Sequence, residues 1–294
     1  MGKAVRQVRG ENQKNIVRLI EGLEGKFSAW EIWQDFITLS AVSVANAIGG
    51  PYRDSREKMF TERIGKYSEK ERTAFSLMFN ELVEALERNP DQDFLGDMFM
   101  TLGCGDKWKG QFFTPYCVCR AMGAISYGVE LKNRIEKRGW VTVGDCACGA
   151  GALLVAFANE CWSKGINYQK HVLFIGQDLD FLASMMCYLQ LSLLGCAGYV
   201  CVDDSIARPC LSYDDRGLIP VEGSRIWYTP MYHSDIWQWR RAACQMDLMI
   251  RNSKTAEPLV APPAEPAQAP EPVTQETPAT PSLAEVKAGQ LTFF

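Results

Sequence analysis

Apolar residues recur at helical spacing through the first third of the chain, as in Ile16-Val17-Leu19-Ile20-Leu23 and Phe75-Leu77-Met78-Leu82-Val83-Leu86. Such stripes are the mark of amphipathic helices with one face in a core. Gly49-Gly50-Pro51 interrupts the pattern, and Ser68-Glu69-Lys70-Glu71 has the form of a capping box opening a second helical run. Residues 13–100 therefore read as helical, and residues 1–100 as a helical N-terminal domain. From Trp140 the period changes. Short apolar runs at Val141-Thr142-Val143, Val172-Leu173-Phe174-Ile175 and Tyr199-Val200-Cys201-Val202 alternate with segments of helical pattern. Alternation of this kind predicts an α/β domain, here residues 101–254, with a parallel sheet wound by crossover helices. Ser224-Arg225-Ile226-Trp227-Tyr228 reads as a fourth strand, and Ser234-Asp235-Ile236-Trp237-Gln238-Trp239-Arg240-Arg241 as a last helix with a cap.

After Lys254 the composition shifts abruptly, with eight prolines among alanines, glutamates and threonines through Pro281. Too little apolar surface is present to offset the entropy of ordering, so residues 255–288 read as a disordered, extended linker. Residues 289–294 form a short apolar terminus, Gly289-Gln290-Leu291-Thr292-Phe293-Phe294.

Composition narrows the class. With 294 residues, 47% of them hydrophobic, the chain can bury a substantial core. No run of about 18 uncharged apolar residues occurs, and Gly2-Lys3-Ala4-Val5-Arg6 leads into polar sequence; a cytoplasmic location and no membrane partner are the expectation. The 11 cysteines are odd in number and several, such as Cys187, Cys196 and Cys201, sit in apolar runs, which favours reduced thiols. Cys117-Val118-Cys119 and Cys146-Ala147-Cys148 lack the spacing of structural zinc pairs, and only His171 and His233 are available, so no metal is expected. Formal charge is −4, but the last 39 residues hold five glutamates and one lysine, leaving thirty charges of each sign in residues 1–255. A balanced body neither requires nor excludes a polyanionic partner, since phosphate contacts need only a local basic face.

The chemistry concentrates where the strands end. Asp145-Cys146-Ala147-Cys148-Gly149-Ala150-Gly151 follows the first strand and opens into the helix-like Ala152-Leu153-Leu154-Val155-Ala156-Phe157. A carboxylate, then two glycines before a helix, lets a ligand approach bare backbone near the positive helix N-terminus, which suits a nucleotide-like cofactor. Asp178 follows the second strand, and Asp203 with Asp204 the third. Ligands on such a sheet sit at these carboxyl ends. The alternative role for Asp178 and Asp204 is capping of the helices that follow them.

Together with the upstream segment Gly110-Gln111-Phe112-Phe113-Thr114-Pro115, with Gly176-Gln177-Asp178-Leu179-Asp180 and with Asp203-Asp204-Ser205-Ile206, the glycine turn resembles the adenine-N6 DNA methyltransferases, particularly the modification subunits of type I restriction systems, over roughly residues 92–232. The resemblance implies a Rossmann-like fold that binds S-adenosylmethionine, and DNA as the partner. Phe112, Thr114 and Pro115 would form a lid over the methionine part of the cofactor, which would lie against Asp145, Cys148, Gly149 and Gly151. Asp178 would accept from the ribose hydroxyls, Asp204 from the adenine amino group, and Leu179 would lie against the ring. Family members hold the target adenine with Asn-Pro-Pro-Tyr or Asn-Pro-Pro-Phe after the fourth strand. Here the matching stretch is Thr229-Pro230-Met231-Tyr232, so Thr229, Pro230 and Tyr232 are the candidate catalytic residues, with a hydroxyl in place of the amide. Only about 25 residues of ordered sequence follow, which leaves target recognition to a separate subunit. Trp237, Trp239, Arg240 and Arg241 would either stack on and neutralise DNA or pack against the sheet edge. Gln290, Leu291, Phe293 and Phe294 resemble the peptide by which bacterial replication and repair proteins dock on the sliding clamp. Two functions follow from the resemblance: an adenine-N6 DNA methyltransferase, or a non-catalytic cofactor- or DNA-binding module held at replicating DNA by its terminal peptide. A small-molecule methyltransferase is the third reading, disfavoured by Gly110–Pro115.

Overall fold

The computed structural model describes residues 10–102, 113–128, 130–221, 223 and 225–255. Five helices come first: α1 (Glu11–Leu23), α2 (Ala29–Ile48), α3 (Arg53–Ile64), α4 (Glu69–Arg88) and α5 (Phe94–Thr101). Their starts are written in the sequence. Ser28 accepts from the Glu31 N–H at 3.2 Å while Glu31 accepts from the Ser28 N–H at 2.9 Å, and Ser68 and Glu71 make the same reciprocal box. Next come α6 (Tyr116–Tyr127) and α7 (Leu131–Arg138), then β1 (Val141–Asp145), α8 (Ala152–Ser163), the single turn α9 (Tyr168–His171), β2 (Val172–Asp178), α10 (Phe181–Leu193) and β3 (Ala197–Val202). After a long excursion, β4 (Ile226–Tyr228), a 3-10 turn (Pro230–His233) and α11 (Asp235–Thr255) end the described chain.

The sheet has the order β1-β2-β3-β4. The first three strands are parallel, with Val141 opposite Val172 and Leu173 opposite Ala197, and their crossovers carry α8 and α10. β4 departs from the all-parallel expectation. It runs antiparallel to β3, with Tyr228 opposite Tyr199 and Ile226 opposite Cys201. A parallel return needs a crossover, usually helical. The 203–225 connection contains Pro209, Gly217, Pro220 and Gly223, and no helix forms among its described residues. It folds over the sheet instead, where Leu218 joins Trp140, Leu173, Tyr199, Tyr232 and Trp237 in one apolar cluster. The opposite face is covered by α8 and α10, whose side chains merge with those of the N-terminal helices.

Two compact units are present, Met1–Asp247 and Leu248–Phe294, and the described part of the second is the last turns of α11. The helical segment and the sheet thus share one unit, and no break in packing falls near residue 100. The reason lies in α2, where Ile32, Trp33, Phe36, Ile37, Leu39, Ala41 and Val42 are all buried. A helix apolar on more than one side needs partners on more than one side, and α2 packs on α1, α3, α4 and α10. Among the described residues no helix is long and apolar enough to cross a membrane, and no His/Cys/Asp/Glu group could hold a metal ion. The expected linker and terminal peptide, from residue 256 on, lie outside the described residues, as does Phe112.

Candidate cofactor site

Parallel strands bring Asp145, Asp178 and Asp203-Asp204 to one edge of the sheet, as the Asp145–Gly176 and Asp178–Val202 register positions require. The glycine turn is fixed there by backbone. The Cys148 N–H donates to the Gln177 carbonyl at 3.0 Å, and the Gly149 N–H donates to Asp178 Oδ2 at 2.8 Å. Two of its residues need glycine. Gly149 has φ +53°, and a Cβ there would lie 3.0 Å from the Phe113 ring; Gly151 has φ +93°, and a Cβ would lie 2.8 Å from the Cys187 sulfur. Cys148 and Cys187 sit beneath the turn, where their mutual hydrogen bond and burial push the Cys148 thiol well above its usual range. Cys148 is therefore not poised as a nucleophile.

Each acid has a distinct local role. Asp145 accepts from the Ala147 N–H at 3.0 Å, and burial, reinforced by the nearby Asp178 charge, raises its carboxyl above the ordinary range. Asp178 uses both oxygens on backbone, Oδ2 on Gly149 and Oδ1 on the Asp180 N–H at 2.9 Å, so it clamps the glycine turn to the end of β2. Each carboxylate oxygen retains a second acceptor position for a ligand hydroxyl. Capping of α10 falls to Asp180, which accepts from the Ala183 N–H at 2.9 Å. Asp204 does cap: its Oδ1 accepts from the N–H groups of Ile206 and Ala207, at 2.8 and 3.0 Å, and these bonds lower its carboxyl. Both bonds end on Oδ1, so the second oxygen is the one offered to a ligand. Leu179 is 70% exposed beside these acids, an apolar surface at the rim. Thr114 and Pro115 are exposed at the start of α6, and Phe113, packed on Phe99, lies against Gly149.

Three supporting roles escaped the sequence reading, which put Asp203 at the end of the third strand but not its ion pairs. Asp203 is 6% exposed and pairs with Arg208 at 2.8 Å and with Arg225, fixing the end of β3. Gln177 donates to the carbonyls of Asp203 and Arg208 and accepts from the Cys210 N–H at 2.8 Å, which shapes the loop carrying Asp204. Gln190 donates to the Ala150 carbonyl and to Asp93 Oδ1, both at 2.8 Å, tying the glycine turn to α5. A lone amide within the apolar run of α10 was the signal for the last of these.

Residues 91–218 match the N-6 DNA methylase family. The matched segment spans the glycine turn, both downstream acidic motifs and the Gly110–Pro115 segment. No curated protein matches the chain in sequence. Among solved structures, a Listeria monocytogenes protein described as a class I S-adenosylmethionine-dependent methyltransferase is similar at 14% identity, covering 81% of this chain and 80% of its own, with a TM-score of 0.37. That likeness is too distant to argue from.

The match to the N-6 DNA methylase family points to S-adenosylmethionine as cofactor, and the residues present fit it. The glycine turn delivers the chain to the N-terminus of α8 through Gly151 at φ +93°, and a carboxylate is favoured at such an end. Carboxylates stand at the ends of adjacent strands for hydroxyl and amino donors, and Leu179 offers a face for an aromatic ring.

The structure does not bring Thr229, Pro230 and Tyr232 together with the acids. Because β4 is antiparallel, Thr229 emerges at the amino end of β3, a strand length of roughly 16 Å from the acids at about 3.3 Å per residue. Thr229 is fully buried, and its hydroxyl donates to the Cys196 carbonyl at 2.7 Å and accepts from the Gly198 N–H at 3.0 Å. Tyr232 is 4% exposed, stacked on Tyr228 at 4.9 Å, covered by Arg241 at 4.1 Å, and donates its hydroxyl to the Leu218 carbonyl. Pro230 opens the 3-10 turn and is exposed. Thr229 and Tyr232 are thus packed at the edge of the sheet. Of the last helix, Trp237 is buried against Trp140 and donates to the Gln169 carbonyl, whereas Trp239 is 76% exposed.

Proposed function

We propose that this chain binds S-adenosylmethionine at the carboxyl ends of β1, β2 and β3 and serves the methylation of adenine N6 in DNA. One observation carries the reading: the Gly149 N–H bonded to Asp178, which joins the glycine turn of the first strand to the acid of the second in one cradle. When bound, the cofactor supplies an electrophilic methyl group. In the cradle Asp178 holds the ribose side, Asp204 and Leu179 the adenine ring, and Asp145, Cys148, Gly149 and Gly151 the amino-acid end, with Thr114 and Pro115 at the mouth. A partner subunit that recognises the target sequence would also supply the amide that holds the adenine amino group, a task for which Thr229 is engaged elsewhere.

The second reading is a non-catalytic cofactor-binding module, tethered to the sliding clamp through Gln290, Leu291, Phe293 and Phe294. The buried position of Thr229 favours it. In either case a cytoplasmic protein acting on DNA is the setting. Transfer of labelled methyl to mixed-sequence DNA, with calorimetric titration of the cofactor in parallel, separates the two. Binding with transfer supports the enzyme; binding without transfer, in the presence of cell extract to supply a partner, supports the module. Failure of the folded protein to bind refutes both.

A further inference from the structure

A second feature lies at the amino end of the sheet, away from the cradle. Helix α7 buries Leu131 and Ile135 and exposes Lys132, Arg134, Lys137 and Arg138, with Glu136 the acidic residue among them. Its end runs into Gly139 and Trp140, and other cations gather there. Arg216 lies 3.5 Å over the Trp140 ring and donates to the Trp140 carbonyl; Arg240 lies 4.5 Å over Trp237 and donates to the Gly139 and Lys170 carbonyls. The exposed Lys170 is on α9, just before β2. Among the described residues no carboxylate forms an ion pair with any of these cations. Two acids act on Arg216: Asp215, and Asp214, whose carboxylate accepts from the N–H groups of Arg216, Leu218 and Ile219. The cations also feel one another: besides burial, Arg138 disfavours the charge on Arg216, while Asp215 and Asp214 favour it, and Arg216 disfavours that on Arg240.

Cations that outnumber the local acids Glu136, Asp214 and Asp215 and form no ion pair with them, on a body of balanced charge, favour a polyanion. The stacked guanidinium of Arg216 is held in place before any ligand arrives, and α7 supplies four further cations over about 9 Å of helix, at 1.5 Å rise per residue. We infer that this amino-end face is a contact for the phosphate backbone of double-stranded DNA, separate from the cofactor cradle. Because it lies at the opposite end of the strands, it holds duplex that flanks the base being presented rather than that base itself. This inference rests on the reading of DNA as the partner.

The test is fluorescence anisotropy of a labelled duplex of about 30 base pairs with the full-length protein over a series of salt concentrations. The comparison is with the triple variant Arg134→Gln, Lys137→Gln, Arg138→Gln. These side chains are exposed, and cofactor titration of the variant confirms that the fold and the cradle persist. Each phosphate contact contributes about 0.9 to the slope of log affinity against log salt. The variant is expected to bind at least tenfold more weakly at low salt, with the slope reduced by roughly 2 to 3. An unchanged slope and affinity in a variant that still binds cofactor would overturn the inference and leave the methylase reading standing. No duplex binding by the parent protein would overturn both.

Discussion

Asp93 is the most heavily buried acid near the glycine turn, at 2% exposure, and its environment sets a sign and a size for one substitution. It caps α5, accepting on Oδ1 from the Gly96 N–H at 3.0 Å and from Gln190 Nε2 at 2.8 Å, with no cation in contact among the described residues. Burial pushes its carboxyl up from 3.8 to about 6, against the pull of those two hydrogen bonds. A folded value above the unfolded one means that the folded state prefers the protonated acid. That preference is fully present below about pH 4 and is lost as pH rises through about 6. At about 1.4 kcal/mol per pH unit, the two-unit difference makes the charged form roughly 3 kcal/mol less favourable in the fold. Asp93→Asn keeps the accepting oxygen and the capping role and removes the charge. The variant is expected to be more stable than the parent at pH 8 by roughly 1 to 3 kcal/mol, and to show a flatter pH dependence between pH 4 and 8. Urea unfolding at pH 5 and pH 8 measures both. Loss of more than about 1 kcal/mol at pH 8 would refute the reasoning, since it would mean that the negative charge itself supports the Gln190 bridge.

Other expectations follow from single residues. Gly151→Ala places a methyl 2.8 Å from the Cys187 sulfur at φ +93°, so a fall in stability of about 2 kcal/mol or more and weakened cofactor binding are expected in thermal unfolding and titration. Thr229→Val leaves the buried Gly198 N–H without its side-chain acceptor; a loss of roughly 1 to 3 kcal/mol is expected, with cofactor affinity unchanged, and a loss of affinity instead would return Thr229 to the functional site. Asp204→Ala should weaken cofactor binding severalfold in calorimetry, whereas unaltered binding would reduce Asp204 to a turn cap.

The cradle was legible because its parts are local. An apolar run followed by an acid and glycines specifies a strand, a turn and a helix start, and Asp145, Asp178 and Asp204 lie at the ends of the strands expected of them. What the sequence hid were relations between distant segments. Strand direction at β4 depends on its connection, and three residues, Ile226–Tyr228, carry no directional signal of their own. The helix-breaking residues of 203–225 were the available clue, and the antiparallel return moves Thr229 to the other end of the sheet. The merging of the helical segment with the sheet was likewise implicit in α2, too apolar to have only one covered face. Gln190 and Gln177 were visible as amides in apolar surroundings, but their partners, Ala150, Asp93 and the Asp204 loop, required the fold.

Titration of S-adenosylmethionine into the parent protein and into Asp178→Ala tests the central claim most directly. Asp178 both anchors Gly149 and faces the ribose in the account given, so the parent should bind one cofactor and the variant, still folded by circular dichroism, should bind at least tenfold more weakly, a difference of about 1.4 kcal/mol or more. Equal affinities in the two proteins, or no binding by the folded parent, would contradict it.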